Sequence, residues 1–241
     1  MDNSHHIKGI LFDKDGTLFD YAATWMPLNH RAALHAARGD QDLANDLLLM
    51  GGWLPDQNTV SAGSLLAAHT NLEIAEAWNE HLGGDWDTQE LYQDITEMWN
   101  THGSDSATPV TDLPHYLNGL RELGYILGVA TSDNETSARA MLSRFNAETP
   151  FDFIAGYNSG HGTKPGPGMA HAFCKQTNLE LSEVVMVGDN AHDIEMADNA
   201  KVAFAIGVLT GTSSRADLER LTPYVLDDIT GIPALLAKLA S

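Results

Sequence analysis

Two aspartates set two residues apart close an apolar run, Gly9-Ile10-Leu11-Phe12-Asp13-Lys14-Asp15-Gly16-Thr17, and their spacing is the first sign of chemistry in this chain. Alternate side chains of a strand point to one face, so Asp13 and Asp15 share a space beyond the strand's end. Gly16 lets the backbone turn away there. Two carboxylates this close repel each other unless something positive joins them. A hard dication with oxygen ligands is the simplest such partner, and a phosphorylated substrate commonly accompanies that ion. A calcium loop is excluded by spacing. An EF-hand needs glycine at its sixth position and glutamate at its twelfth, whereas Gly16 stands fourth and Thr24 twelfth, after a strand instead of a helix.

The elements that must position such groups follow from hydrophobic pattern. From Thr108 onward strands and helices alternate. Strands are expected at Tyr125–Thr131, Phe151–Ala155, Val184–Val187, Val202–Ile206 and Tyr224–Leu226, and helices at Asp112–Leu123, Glu135–Phe145, Pro167–Thr177, Ala191–Ala200, Arg215–Leu221 and Ile232–Leu239. Alternation of this kind makes a parallel sheet with helices on both faces, and such sheets bind ligands beyond the carboxyl ends of their strands. Polar clusters stand at those ends. Thr131-Ser132-Asp133 follows one strand and Gly188-Asp189-Asn190-Ala191-His192-Asp193 another, while Gly162-Thr163-Lys164-Pro165-Gly166-Pro167-Gly168 lies in the connection after Phe153 and presents one lysine.

Between residues 21 and 107 the pattern is helical throughout. Helices are expected at Ala22–Arg38, Asp40–Met50, Ser61–His69, Leu72–Leu82 and Thr88–Asn100, broken by glycines, with no β-rich run among them. Trp78, Trp86 and Trp99 supply the core and edges of a small bundle. The expected fold class is therefore α/β: a doubly wound parallel sheet, Rossmann-like, formed by residues 1–20 and 108–241, with an inserted α-helical domain at 21–107.

Composition narrows the partners. The net charge of −20 repels nucleic acid and anionic membrane surfaces alike, so an anionic small molecule must be met locally, by a metal and a few placed cations. A lone cysteine, Cys174, forms no disulfide within the chain, and neither a leader-like start nor a long apolar run is present; a cytoplasmic protein is expected. None of the eleven histidines pairs at metal-ligand spacing.

Taken in order, the four clusters resemble the motifs of the haloacid dehalogenase superfamily, specifically its phosphoglycolate phosphatase-like members with a helical cap inserted after the first motif. Asp13-Lys14-Asp15-Gly16-Thr17 matches the first motif, Thr131 the second, Lys164-Pro165 the third, and Gly188-Asp189 with Asp193 the fourth. The resemblance implies a phosphatase in which Asp13 attacks phosphorus and Asp15 serves as acid and then base. It implies Mg2+ held by Asp13, the backbone carbonyl of Asp15, and Asp189, with Asp193 acting through water or on Lys164. It also implies a phosphate cradle of Gly16, Thr17, Thr131, Ser132 and Lys164, and a small phosphorylated metabolite as partner. Asp15 argues for phosphoryl transfer over carbon–halogen cleavage, which does not need that acid. Carbon–phosphorus cleavage needs a cap lysine, and no lysine lies between Lys14 and Lys164. A sugar-phosphate mutase would keep basic cap residues, of which only Arg31 and Arg38 stand here, and a catalytically idle binding protein would not need the complete set. Tyr21, Trp25, Met26 and His30, near the cap hinge, are candidates for substrate contact.

Overall fold

A computed structural model describes residues 6–240. The elements are β1 (Gly9–Phe12), α1 (Tyr21–Ala36), α2 (Gln41–Met50), β2 (Trp53–Leu54), β3 (Thr59–Val60), α3 (Leu65–Ala68), α4 (Asn71–His81), α5 (Thr88–Ser106) and α6 (Leu113–Glu122). They continue as β4 (Ile126–Ala130), α7 (Glu135–Arg144), β5 (Phe153–Ala155), α8 (Gly168–Thr177), β6 (Val184–Gly188), α9 (Ala191–Ala200), β7 (Phe204–Val208), α10 (Arg215–Leu218), β8 (Val225–Leu226) and α11 (Ile232–Leu239). The chain divides into two compact units, one taking the segments up to Asp20 and from Pro109 onward, the other Tyr21–Thr108.

In the first unit six strands pair in the order β5-β4-β1-β6-β7-β8, all parallel. Their central members are continuous apolar runs, GILF, ILGVA and VVMVG, because a parallel strand covered by helices on both faces has no wet side. From β1 the chain steps outward through β4 and β5, then returns to place β6 on the other side of β1 and steps outward again. That reversal makes the crevice beyond β1 the expected ligand position. Register aligns the strand ends there: Phe12 lies opposite both Val129 and Val187, so Asp13 emerges level with the ends of β4 and β6.

The second unit is built around one apolar cluster that includes Met26, Leu47, Ile74, Trp78, Leu91 and Ile95. Trp78 is wholly buried, Trp99 nearly so, and Trp86 lies at the cluster's margin. Two expectations are corrected in this unit. A short antiparallel hairpin, β2 with β3, interrupts the helices, and the helix expected over Ser61–His69 is confined to Leu65–Ala68. Gly63 adopts φ +70°, which a helix does not accept, and Ser64 is extended.

Candidate active site

Beyond β1, β4 and β6 the polar clusters of the first unit converge. Asp13 continues the ladder by donating its N–H to the Val187 carbonyl at 2.8 Å. Thr131 does the same toward Ala155 at 3.0 Å. The Lys14 carbonyl then accepts from Leu18 and Phe19, folding the chain into a tight loop with Gly16 at φ +81°. A Cβ on Gly16 would meet the Asp189 carboxyl carbon at 2.6 Å, so close approach of the two loops requires glycine. Gly211, after β7, is under the same constraint: a Cβ there would lie 1.9 Å from Asp189 Oδ2.

One cation organises the acids. Lys164 Nζ donates to Asp13 Oδ1 and to Asp193 Oδ1, each at 2.5 Å, and all three side chains are buried. Asp193 is the third residue of α9, where its other oxygen accepts the Asn190 N–H at 3.2 Å and completes a capping box, so helix start and lysine share one carboxylate. Asp13, Asp189 and Asp193 offer oxygens that all lie within 4.8 Å of one another. With every group ionised, three carboxylates outweigh one ammonium by two charges. A buried excess of that size favours a proton or a dication. Burial, opposed by Lys164 and aided by Asp193, pushes the Asp13 carboxyl up to about 7. Burial together with Asp193 and Asp13 raises Asp189 well above the carboxylate range. For Lys164 the two carboxylates outweigh burial and hold the ammonium charged. Three hard oxygens and the charge deficit fit a small divalent cation.

The remaining site candidates flank this cluster. Thr131 is buried, and its Oγ1 accepts the Asp133 N–H at 3.1 Å. Ser132 is exposed, and the buried Thr17 hydroxyl has no hydrogen-bond partner among the described residues. In the second unit the hinge candidates are occupied by packing. Tyr21 donates its hydroxyl to the Leu66 carbonyl at 3.0 Å, Met26 is wholly buried, His30 stacks edge-on to Trp53, and Trp25 packs against the apolar cluster.

Two groups escape a reading of sequence alone. Thr212 donates its N–H to Asp189 Oδ2 at 2.9 Å, and its loop is tied down where Thr210 donates to the Gly16 carbonyl at 2.8 Å. Lys14, between the two aspartates of the first cluster, is buried and donates to Asp15 Oδ2 at 2.5 Å, with Asp133 Oδ2 at 3.6 Å. Burial opposes the Lys14 charge, yet Asp15 and Asp133 prevail and hold it above its ordinary range.

Buried carboxylates and a lysine at the switch point of a doubly wound sheet define an enzyme that binds its ligand beyond the strand ends. The chain belongs to the haloacid dehalogenase-like hydrolase family, whose model matches residues 10–207. It is 34% identical over 126 residues to the "Probable phosphatase IndB" of Dickeya dadantii, a match spanning 51% of this chain and 54% of that protein. It is 25% identical to the phosphoglycolate phosphatase of Haemophilus influenzae, across 66% of this chain and 73% of that one. Among solved structures, a predicted phosphoglycolate phosphatase from Haemophilus somnus superposes with a TM-score of 0.74 at 20% identity, covering 95% of this chain and 98% of that chain. Within the family the chain is a phosphoric monoester hydrolase.

Proposed function

We propose that this protein is a magnesium-dependent phosphatase that hydrolyses a small phosphomonoester of the phosphoglycolate type through an aspartyl-phosphate. The observation that carries the reading is the double contact of Lys164 with Asp13 and Asp193 beside Asp189, which supports one acidic pocket, built from separate loops, that a divalent cation would bring to balance. Asp13 attacks phosphorus through a carboxylate oxygen while the bond from phosphorus to the leaving oxygen breaks, and Asp15 delivers its proton to that oxygen. Water then attacks phosphorus, its proton passes to Asp15, and the Asp13–phosphorus bond breaks to release phosphate. Lys164 balances charge on the transferring group, and Thr131, with the backbone N–H groups near Asp15 and Ser132, orients the phosphoryl oxygens. Gly16 and Thr17 complete the cradle. Held by Asp13, the Asp15 carbonyl and Asp189, Mg2+ would neutralise the carboxylates and polarise the phosphoryl group.

The substrate class is supported by the phosphoglycolate phosphatase relative. No helix among the described residues is long and apolar enough to cross a membrane. A metabolite in the cytoplasm is the substrate source that the lone cysteine and the acidic composition support.

Asp13→Asn tests the assignment. Hydrolysis of p-nitrophenyl phosphate should fall on the order of a thousandfold or more while cooperative melting persists. Retained turnover in a folded variant contradicts Asp13 as nucleophile. A panel of phosphorylated metabolites, assayed by released phosphate with and without Mg2+, identifies the substrate; turnover that starts only when a bisphosphate is added favours a mutase instead.

A further inference from the structure

Among the buried charged residues described in the first unit, Lys14 is the one whose place the proposed reaction does not use. Its ammonium is completely buried in a protein with 13 lysines and arginines against 33 aspartates and glutamates. A buried ammonium is costly unless its donors are satisfied. Lys14 spends them on Asp15 Oδ2 at 2.5 Å and the Met141 sulfur of α7 at 3.5 Å, with Asp133 Oδ2 at 3.6 Å. Its partners Asp15 and Asp133 keep 24% and 30% of their side-chain surface. The cation is therefore shut in, while both acids still reach solvent.

Its backbone is fixed as firmly. The Lys14 carbonyl accepts from Leu18 at 2.9 Å and Phe19 at 3.1 Å, so the residue cannot swing with its side chain. Asp133 in turn donates its N–H to the hydroxyl of Thr131 and accepts from the Asn134 N–H at the start of α7. One ammonium thus joins the loop after β1, which carries the acid, to the loop after β4, which carries Thr131.

From this geometry we infer that Lys14 is a positioning residue: it grips one oxygen of the Asp15 carboxyl and fixes that group, relative to the β4 loop, in the place from which it serves the leaving oxygen. The inference rests on the proposed role of Asp15 and deepens it. Lys14 acts through Asp15: its ammonium meets Asp15, Asp133 and the Met141 sulfur. Its loss should be felt where proton delivery matters and little elsewhere.

Leaving groups separate that role from a structural one. An alkyl phosphate needs a proton on its departing oxygen, whereas p-nitrophenolate departs without one. The parameter to compare is kcat/KM, because it reports the formation of the aspartyl-phosphate and not its breakdown. Lys14→Met keeps length and apolar bulk beside Met141 and leaves both acids exposed enough to be hydrated. Lys14→Gln keeps a donor. In Lys14→Met, kcat/KM for an alkyl phosphate, taken from the metabolite panel, should fall about tenfold or more while the value for p-nitrophenyl phosphate changes no more than about threefold. Lys14→Gln should lie between Lys14→Met and the parent. Asp15→Asn, measured alongside, should show the same selectivity more strongly. Equal losses on both substrates, no loss on either, or failure of both Lys14 variants to fold make Lys14 a structural ion and overturn the inference. If Asp15→Asn itself loses both substrates equally, the acid role of Asp15 falls, and the inference with it; selectivity in Asp15→Asn without selectivity in Lys14→Met overturns the inference alone.

Discussion

Lys164 meets two carboxylates with one ammonium, and the side chains of Asp13 and Asp193 are only 7% and 0% exposed, so neither acid can turn to water when the cation is removed. Removing one member of a buried ion cluster typically costs about 3–5 kcal/mol, because the survivors keep their desolvation penalty without their attraction. Lys164→Met should therefore lower stability by that amount in the presence of a chelator, read as a fall in the urea midpoint, and should abolish hydrolysis. A divalent cation should restore part of the midpoint by taking over the charge. An unchanged midpoint contradicts the pairing. Asp13, Asp15, Asp189 and Lys164 are legible in the sequence as candidates because each stands at a strand end or in a glycine-rich loop, where side-chain direction is set locally, and Asp193 because it falls in the first turn of the helix that follows one. Lys14 was legible only as a residue between two acids. A lysine there looks the same in sequence whether it is solvated or buried, and the contacts that bury it come from Asp133 and Met141, far along the chain. Thr212 reaches Asp189 only because β7 pairs beside β6, which no local pattern announces.

Elements repeat that division between local and distant causes. The strands β1, β4, β6 and β7 were readable because apolar runs bounded by turns mark buried parallel strands. The hairpin was not. Each of its strands is two residues long, too short to show alternation, and its turn uses Asn58 at φ +49°, a tolerance of asparagine that announces no particular element. Helix α9 is the element that delivers Asp193, and its start is held by Asn190, whose side chain accepts the His192 N–H at 2.9 Å. Asn190 also donates from Nδ2 to Asp189 Oδ1 at 3.3 Å. The two contacts can be separated, since serine caps about as well as asparagine but carries no amide. Asn190→Ala should cost about 1 kcal/mol in urea unfolding and Asn190→Ser should recover most of it. Equal losses in both variants would assign the stability to the Asp189 contact and not to the cap.

At the scale of the whole molecule, the excess of acid sets how stability responds to pH and to metal. In the absence of metal the Asp13 carboxyl titrates near 7 in the folded protein, against 3.8 as its ordinary value, and Asp189 is raised in the same direction. Below about 4 both states hold these protons and the two groups contribute nothing to the pH dependence. Between about 4 and 7 the unfolded chain has released protons that the fold retains, so stability falls as pH rises through this window. Once Asp13 has ionised, its contribution is flat. A divalent cation competes with those same protons, so its affinity, and the stabilisation it confers, must grow as pH rises. The metal-free melting temperature should accordingly decline from pH 5 to pH 7.5, and the increase caused by millimolar Mg2+ should be larger at pH 7.5 than at pH 5. General screening of the net charge of −20 would also stabilise the fold, but Na+ at matched ionic strength supplies that effect without the site. Differential scanning calorimetry with the two salts, on the parent and on Asp189→Asn, separates the contributions. The pH-dependent increment should be specific to Mg2+ and should vanish in Asp189→Asn. An increment of the same size at both pH values, or one that Na+ reproduces, would mean that the buried acids do not bind the ion.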